Sequence, residues 1–255
     1  VRRHDADRFL TALFAPAERR DALLTLYAFN HELARAREVA SEPALALIRL
    51  QWWREVVEGE AKRHEVATPL SAAIAAGVLL PDRLLPLIEA REAETYADFD
   101  TLADWRAWLL AGAGGLAVAA AAALGAPDPD ALRPFGAAYG VAGLTRATGV
   151  LAAQGTCLLP RELLATHDLS LEAFIDDPGS APARAVLDDV VREGRTLLAA
   201  ATEIPVPREA VAAALPVVLA RRDLARWPAV AMPRRLGDRL AVTFAGITGR
   251  ILPRS

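Results

Sequence analysis

A chain of 255 residues, 53% hydrophobic and 24% charged, is long enough to bury a sizeable core and is ordinary for a globular protein. A net charge of −3 gives no electrostatic case for nucleic acid, which favours a clustered basic face. One cysteine, Cys157, excludes an internal disulfide and any zinc site built on several thiolates, and the four histidines show no ligand spacing.

In chain order, every predicted element is a helix, because apolar residues recur at three-and-four spacing and proline and glycine mark the ends. Pro16 ahead of Ala17-Glu18-Arg19 predicts a helix start with an acid near the positive end of the dipole. Ser41-Glu42-Pro43 repeats the device, and that second helix stops near Gly59. Further helices are expected over 68–78, 81–96, 102–124 and 130–153. Short ones follow over 160–166 and from Ser170 to the breaker Asp177-Pro178-Gly179. Long ones are expected over 182–201, 207–224 and 233–251. Nothing reads as a strand. Short, proline-marked loops without repeats predict one all-α domain over 1–255. The uncharged run Leu109–Ala126 has the length of a membrane span. Its alanine and glycine content favours a close-packed interior helix. Those small side chains also leave room for a lipid tail, and the two readings coexist.

Two segments carry the functional information. Leu26-Tyr27-Ala28-Phe29 opens an aromatic-rich helix that continues through Ala34-Arg35-Ala36-Arg37-Glu38. Later, Gly136 to Ala147 leads to Gly155-Thr156-Cys157-Leu158-Leu159-Pro160. Together these resemble the two signatures of the squalene/phytoene synthase family, an aromatic helix with a DDxxD segment and a second aspartate-bearing helix before a Gly…Leu-Pro turn. Ungapped, the family acid positions hold Ala34, Arg35 and Glu38 in the first segment, where only Glu38 keeps a carboxylate, and Ala147 and Leu151 in the second. Gly140 and Gly143 replace a family glutamine and asparagine, while Arg146 matches the family arginine. The runs Phe14-Ala15-Pro16, Arg49-Leu50-Gln51-Trp52-Trp53 and Arg91-Glu92 are similar to the branch that includes a mitochondrial complex I assembly factor and its bacterial relatives.

The resemblance implies an isoprenoid-synthase-type bundle around a central apolar cavity. It also implies a non-catalytic member acting in respiratory complex I (NADH dehydrogenase) assembly, by binding a subunit or assembly intermediate or an isoprenoid-like lipid. No cofactor is expected. The cavity and anion-binding candidates are His31, Glu32, Arg35, Glu38, Tyr139, Gly143 and Arg146. Glu32, Arg35 and Glu38 also fit a solvated charged face with local ion pairs, and His31 a structural histidine. Arg146, in an apolar helix, is expected in a salt bridge to Glu32 or Glu38, with anion capture as the second reading. Trp52 and Trp53 read as core and Cys157 as inert. The alternative function is an active Mg²⁺-dependent prenyl transferase on farnesyl or geranylgeranyl diphosphate; a third is a lipid carrier. No signal peptide is recognisable from Val1 on, and the expected location is cytoplasmic with peripheral contact at the inner membrane, on the matrix side in a eukaryote.

Overall fold

The computed structural model describes residues 1–38, 40, 42–96, 99–229 and 234–252. Among them there is no strand. The chain opens with α1 (Ala6–Ala12), which the sequence reading did not anticipate. Asp5 caps it, its Oδ1 accepting from the Arg8 backbone N–H at 2.9 Å while Oδ2 accepts from the Arg8 guanidinium at 2.8 Å. Then come α2 (Ala17–Glu38) and α3 (Pro43–Val57), with Pro43 at the first helical position. Gly59, at φ +110°, ends that turn. Ser41 and Pro233, both expected near helix starts, lie outside the described residues.

α4 (Ala67–Ala75) and α5 (Pro81–Tyr96) follow. The small-residue stretch is one helix interrupted in the middle: α6 (Leu102–Leu109), a π-helical turn Leu110–Gly114, and α7 (Gly115–Ala123). Ala111 to Gly114 lack the side-chain bulk that would resist a widened turn. That turn packs on α8 (Arg133–Ala153), which begins after a 3₁₀ turn, Pro129–Leu132. α9 (Arg161–Thr166) and α10 (Leu171–Asp176) are short. α11 (Ala181–Thr202) is long and packs along α8. Thr101, Ser170 and Ser180 cap α6, α10 and α11, each hydroxyl accepting an N–H at 3.1–3.3 Å.

The helix expected over 207–224 is broken into a 3₁₀ turn, α12 (Val211–Ala214) and α13 (Pro216–Arg226). Pro216 has no N–H to give to the preceding turn, so the α-helical ladder stops there. α14 (Leu236–Thr248) closes the described chain and contacts α1 and α13.

α8 is the axis. It contacts α11, α13, α7 and the π turn, and Phe135, Ala137, Ala138, Val141 and Ala142 on it are almost fully buried. Gly136 is where α8 meets the π turn: a Cβ there would run into the Ala113 carbonyl oxygen and sit 2.8 Å from Ala117 Cβ. Trp53 is buried against Phe29, and Trp52 is half-buried, edge-on to Trp53 at 4.9 Å. Leu102–Ala123 is long and apolar enough to cross a membrane by length and composition, and half of its apolar window is buried in the fold.

Candidate functional site

The bundle encloses a cavity of about 570 Å³ between α1, α5, the α6–π–α7 helix and α8. Leu87, Trp108, Leu109, Leu116, Leu144 and Leu158 make its apolar wall, together with the small residues Gly112 and Ala113. The π turn therefore does both things expected of a small-residue stretch. It admits α8 at close range and leaves open volume on its other side.

One end of the cavity is built from charge. Asp7, on α1, receives the Tyr139 hydroxyl at 3.0 Å and Arg146 Nη1 at 3.4 Å. It also receives Arg234 Nε at 2.9 Å and Nη2 at 2.8 Å on the same Oδ2. Arg234 Nη1 turns to Asp223 Oδ1 at 2.5 Å, and Arg146 Nη1 lies 3.4 Å from Asp223 Oδ2. Two acids and two arginines thus form a closed quartet drawn from α1, α8, α13 and the segment before α14. Asp223 is 1% exposed, and a buried charge persists only when paired in this way. Burial opposes ionisation of Asp7, but Arg234, Arg146 and Tyr139 outweigh it and hold the carboxyl below its usual range. Burial also pushes the Tyr139 phenol well above its usual value, so it stays a donor. Arg146 Nε is buried without a hydrogen-bond partner among the described residues.

The positions singled out in the sequence are sorted by helix face. Tyr139, Gly143 and Arg146 line the cavity, as do Ala147 and Leu151, where family acids would stand. On α2 the periodicity splits the candidates. Asn30 faces the cavity, and Ala34, Arg37 and Glu38 continue the same face into an adjoining cleft of about 540 Å³ that shares Arg91, Glu94 and Leu151 with the cavity. Glu32 and Arg35 face elsewhere. They pair with each other at 3.4 Å and line a separate groove with Trp52, Trp53 and His64. His31 is outside the cavity lining; it stacks on His4, which is inside it, with ring centroids 4.7 Å apart. Burial and then the neighbouring His4 lower the His31 pKa, so the ring is neutral near pH 7. Arg146 does form a salt bridge, but to Asp7 and Asp223 rather than to Glu32, which lines the separate groove, or Glu38, which lines the adjoining cleft. Burial pushes the Cys157 thiol up to about 11.

Asp7, Asp223 and Arg234 escaped the sequence reading. Only local signals pointed to the two acids, and none to Arg234. Asp5 three residues before Arg8 is an N-cap pattern, and Asp223 falls at helical spacing from Leu219 and Ala220, in a register where a solvated acid has no place.

An all-helical bundle around an apolar cavity with one charged end is the architecture of isoprenoid-type synthases. Residues 1–240 match the family described as Squalene/phytoene synthase, and the chain belongs to that family. The chain is 26% identical over 204 residues to the human protein named NADH dehydrogenase (ubiquinone) complex I, assembly factor 6, covering 76% of this chain and 60% of that one. The mouse protein of that name is 27% identical over 231 residues, covering 86% of this chain and 68% of its own length. Among solved structures, a dehydrosqualene synthase in complex with ligand superposes with a TM-score of 0.77 at 12% identity, covering 97% of this chain and 93% of that one. The squalene synthase HpnC from Alicyclobacillus acidocaldarius gives 0.65 at 22% identity, with 97% and 90% covered. These two likenesses concern the fold.

Magnesium in such a cavity needs free carboxylate oxygens in octahedral array, and the residues present do not fit that requirement. The acids that line the cavity are each held by an arginine: Asp5 by Arg8 at 2.8 Å, Asp7 by Arg234, and Glu94 by Arg91 at 2.5 Å. Among the described residues no group of three or more His, Cys, Asp or Glu side chains is placed to share an ion.

Proposed function

We propose that the protein is a non-catalytic member of the squalene/phytoene synthase family that serves the assembly of respiratory complex I. It binds a complex I subunit or assembly intermediate and holds an isoprenoid-like lipid in its cavity, without a metal cofactor. The observation that carries this reading is what stands at the family's acid positions. Ala34, Ala147 and Leu151 offer no carboxylate, Arg35 offers a cation and Glu38 alone keeps an acid, in the adjoining cleft, while the acids that line the cavity itself are already paired.

The chemistry explains why this matters. Ionising an allylic diphosphate builds charge on the leaving group, and bound metal ions stabilise that charge as it develops. If metals supply several kcal/mol, losing them lowers the rate by several powers of ten, at about 1.4 kcal/mol per tenfold. A fixed arginine holds an anionic ground state about as well as the transition state, so it binds without accelerating. The cavity suits such holding. Its wall is apolar, and its lining has five arginines (Arg8, Arg91, Arg146, Arg234, Arg239) against three acids (Asp5, Asp7, Glu94).

The assembly role is supported by the likeness to the human and mouse assembly factors. Its location follows from that role, peripheral at the membrane where the complex is built, on the cytoplasmic side of a bacterial inner membrane or the matrix side in a eukaryote. Affinity capture of the tagged protein from its own cells, with complex I activity measured after deletion, tests the reading. Enriched respiratory subunits and a lost activity are expected. Capture of none, with normal activity in the deletion strain, sinks it.

A further inference from the structure

α14 turns Val242 and Ala245 onto the fold, and at Gly246 the helix is so close to the Phe14 ring that a Cβ would not fit. Its outer side carries Leu236, Leu240, Phe244 and Ile247, which are 73%, 59%, 62% and 75% exposed. At 3.6 residues per turn these four fall within about 80° of the helix circumference. They form one continuous apolar row. A single exposed leucine needs no explanation, whereas an aligned row of four large side chains marks a contact surface.

Charge identifies the partner. From Arg234 to Leu252 the chain has four arginines and one acid, Asp238. That acid is 1% exposed and held by Arg222 Nε and Arg226 Nη1, each at 2.7 Å. What α14 and its ends show to solvent is therefore positive: Arg235, Arg239 and Arg250. Arg239 is on α14 itself, and Arg250 follows the helix's C-cap, Gly249. On a chain of net charge −3 this is a local reversal of sign. A second copy docking through the same row would bring these arginines against their own equivalents across a two-fold axis. A lipid surface with anionic headgroups answers both features, taking leucine and phenylalanine at the acyl boundary and guanidinium groups at the phosphates.

We propose that α14 is a membrane-docking helix that seats the protein on an anionic lipid surface through Leu236, Leu240, Phe244 and Ile247. Arg239 also lines the cavity beside Arg234, so the cavity meets the outside next to the docked row. Leu236, Leu240, Phe244 and Ile247 themselves do not line the cavity, so the role of the row stands or falls independently of what the cavity holds.

Flotation of the full chain with vesicles of phosphatidylcholine alone, or of phosphatidylcholine with phosphatidylglycerol, tests it at low and high salt. Binding to the anionic vesicles that weakens with salt is expected. Arg239→Gln with Arg250→Gln should lower that binding about 30-fold, and Leu240→Asp with Phe244→Asp should abolish it. All four positions are exposed, and an unchanged melting curve checks that each variant is folded. Equal affinity for neutral vesicles, no affinity for either kind, or an apolar-row variant that floats like the parent would overturn the proposal. So would sedimentation showing a dimer that the Leu240/Phe244 variant dissolves, which would give the row to a second copy.

Discussion

Asp238 and Asp7 are the two acids on which the C-terminal part of the fold is pinned. Burial of Asp238 opposes its ionisation, but hydrogen bonds from Arg222, Arg226 and the Arg235 backbone N–H prevail and hold it at about 2. Its native pKa lies below that of the unfolded chain. The ion pairs therefore stabilise fully above about pH 4, and the contribution fades as pH falls toward 2. The gap from the usual 3.8 to about 2 is worth ~2 kcal/mol. Asp238→Asn should lose about that much stability at pH 7 in urea unfolding and should show a flatter decline below about pH 4 than the parent. Asp7→Asn leaves Arg146 and Arg234 sharing Asp223 alone, and a cost of about 2–3 kcal/mol is expected in the same assay. Neither acid was legible as a site residue. Tyr139, Gly143 and Arg146 were, because their helix matched a known signature. Asp7 comes from a helix of seven residues whose apolar pattern is too short to register, and its partner Arg234 is 227 positions away in sequence.

Among the elements, the contact between α8 and the π turn decides whether there is a cavity at all. Periodicity predicted one helix over 102–124 and could not foresee the π turn, since a widened turn is a response to what packs against it rather than a local preference. Gly136 is the test of that contact. Gly136→Ala would drive a methyl into the Ala113 carbonyl, which is backbone and cannot swing aside, and a loss of about 3 kcal/mol is expected. Gly143, about two turns further on α8, meets nothing within 4 Å. Gly143→Ala should instead raise stability by up to ~1 kcal/mol through helix propensity, while narrowing the cavity. Thermal melts of the two variants side by side should move in opposite directions. The break in 207–224 was legible in principle, because Pro216 stood in the expected helix interior.

Over the whole molecule, the architecture of an isoprenoid-type synthase persists while the charge inside it has been rearranged. Class and family were readable from the order and spacing of short motifs, each weak alone, because the scaffold residues are the part that persists. The rearranged charge was readable only as an absence: Ala34, Ala147 and Leu151 where acids belong. Its positive content, the Asp7–Arg146–Asp223–Arg234 quartet, depends on packing between distant helices. The central proposal is that this interior does not ionise a prenyl diphosphate. Diphosphate release from farnesyl and geranylgeranyl diphosphate, measured with and without Mg²⁺ on folded protein, tests it most directly. Release no faster than the protein-free background under both conditions is expected. Metal-dependent turnover would contradict it.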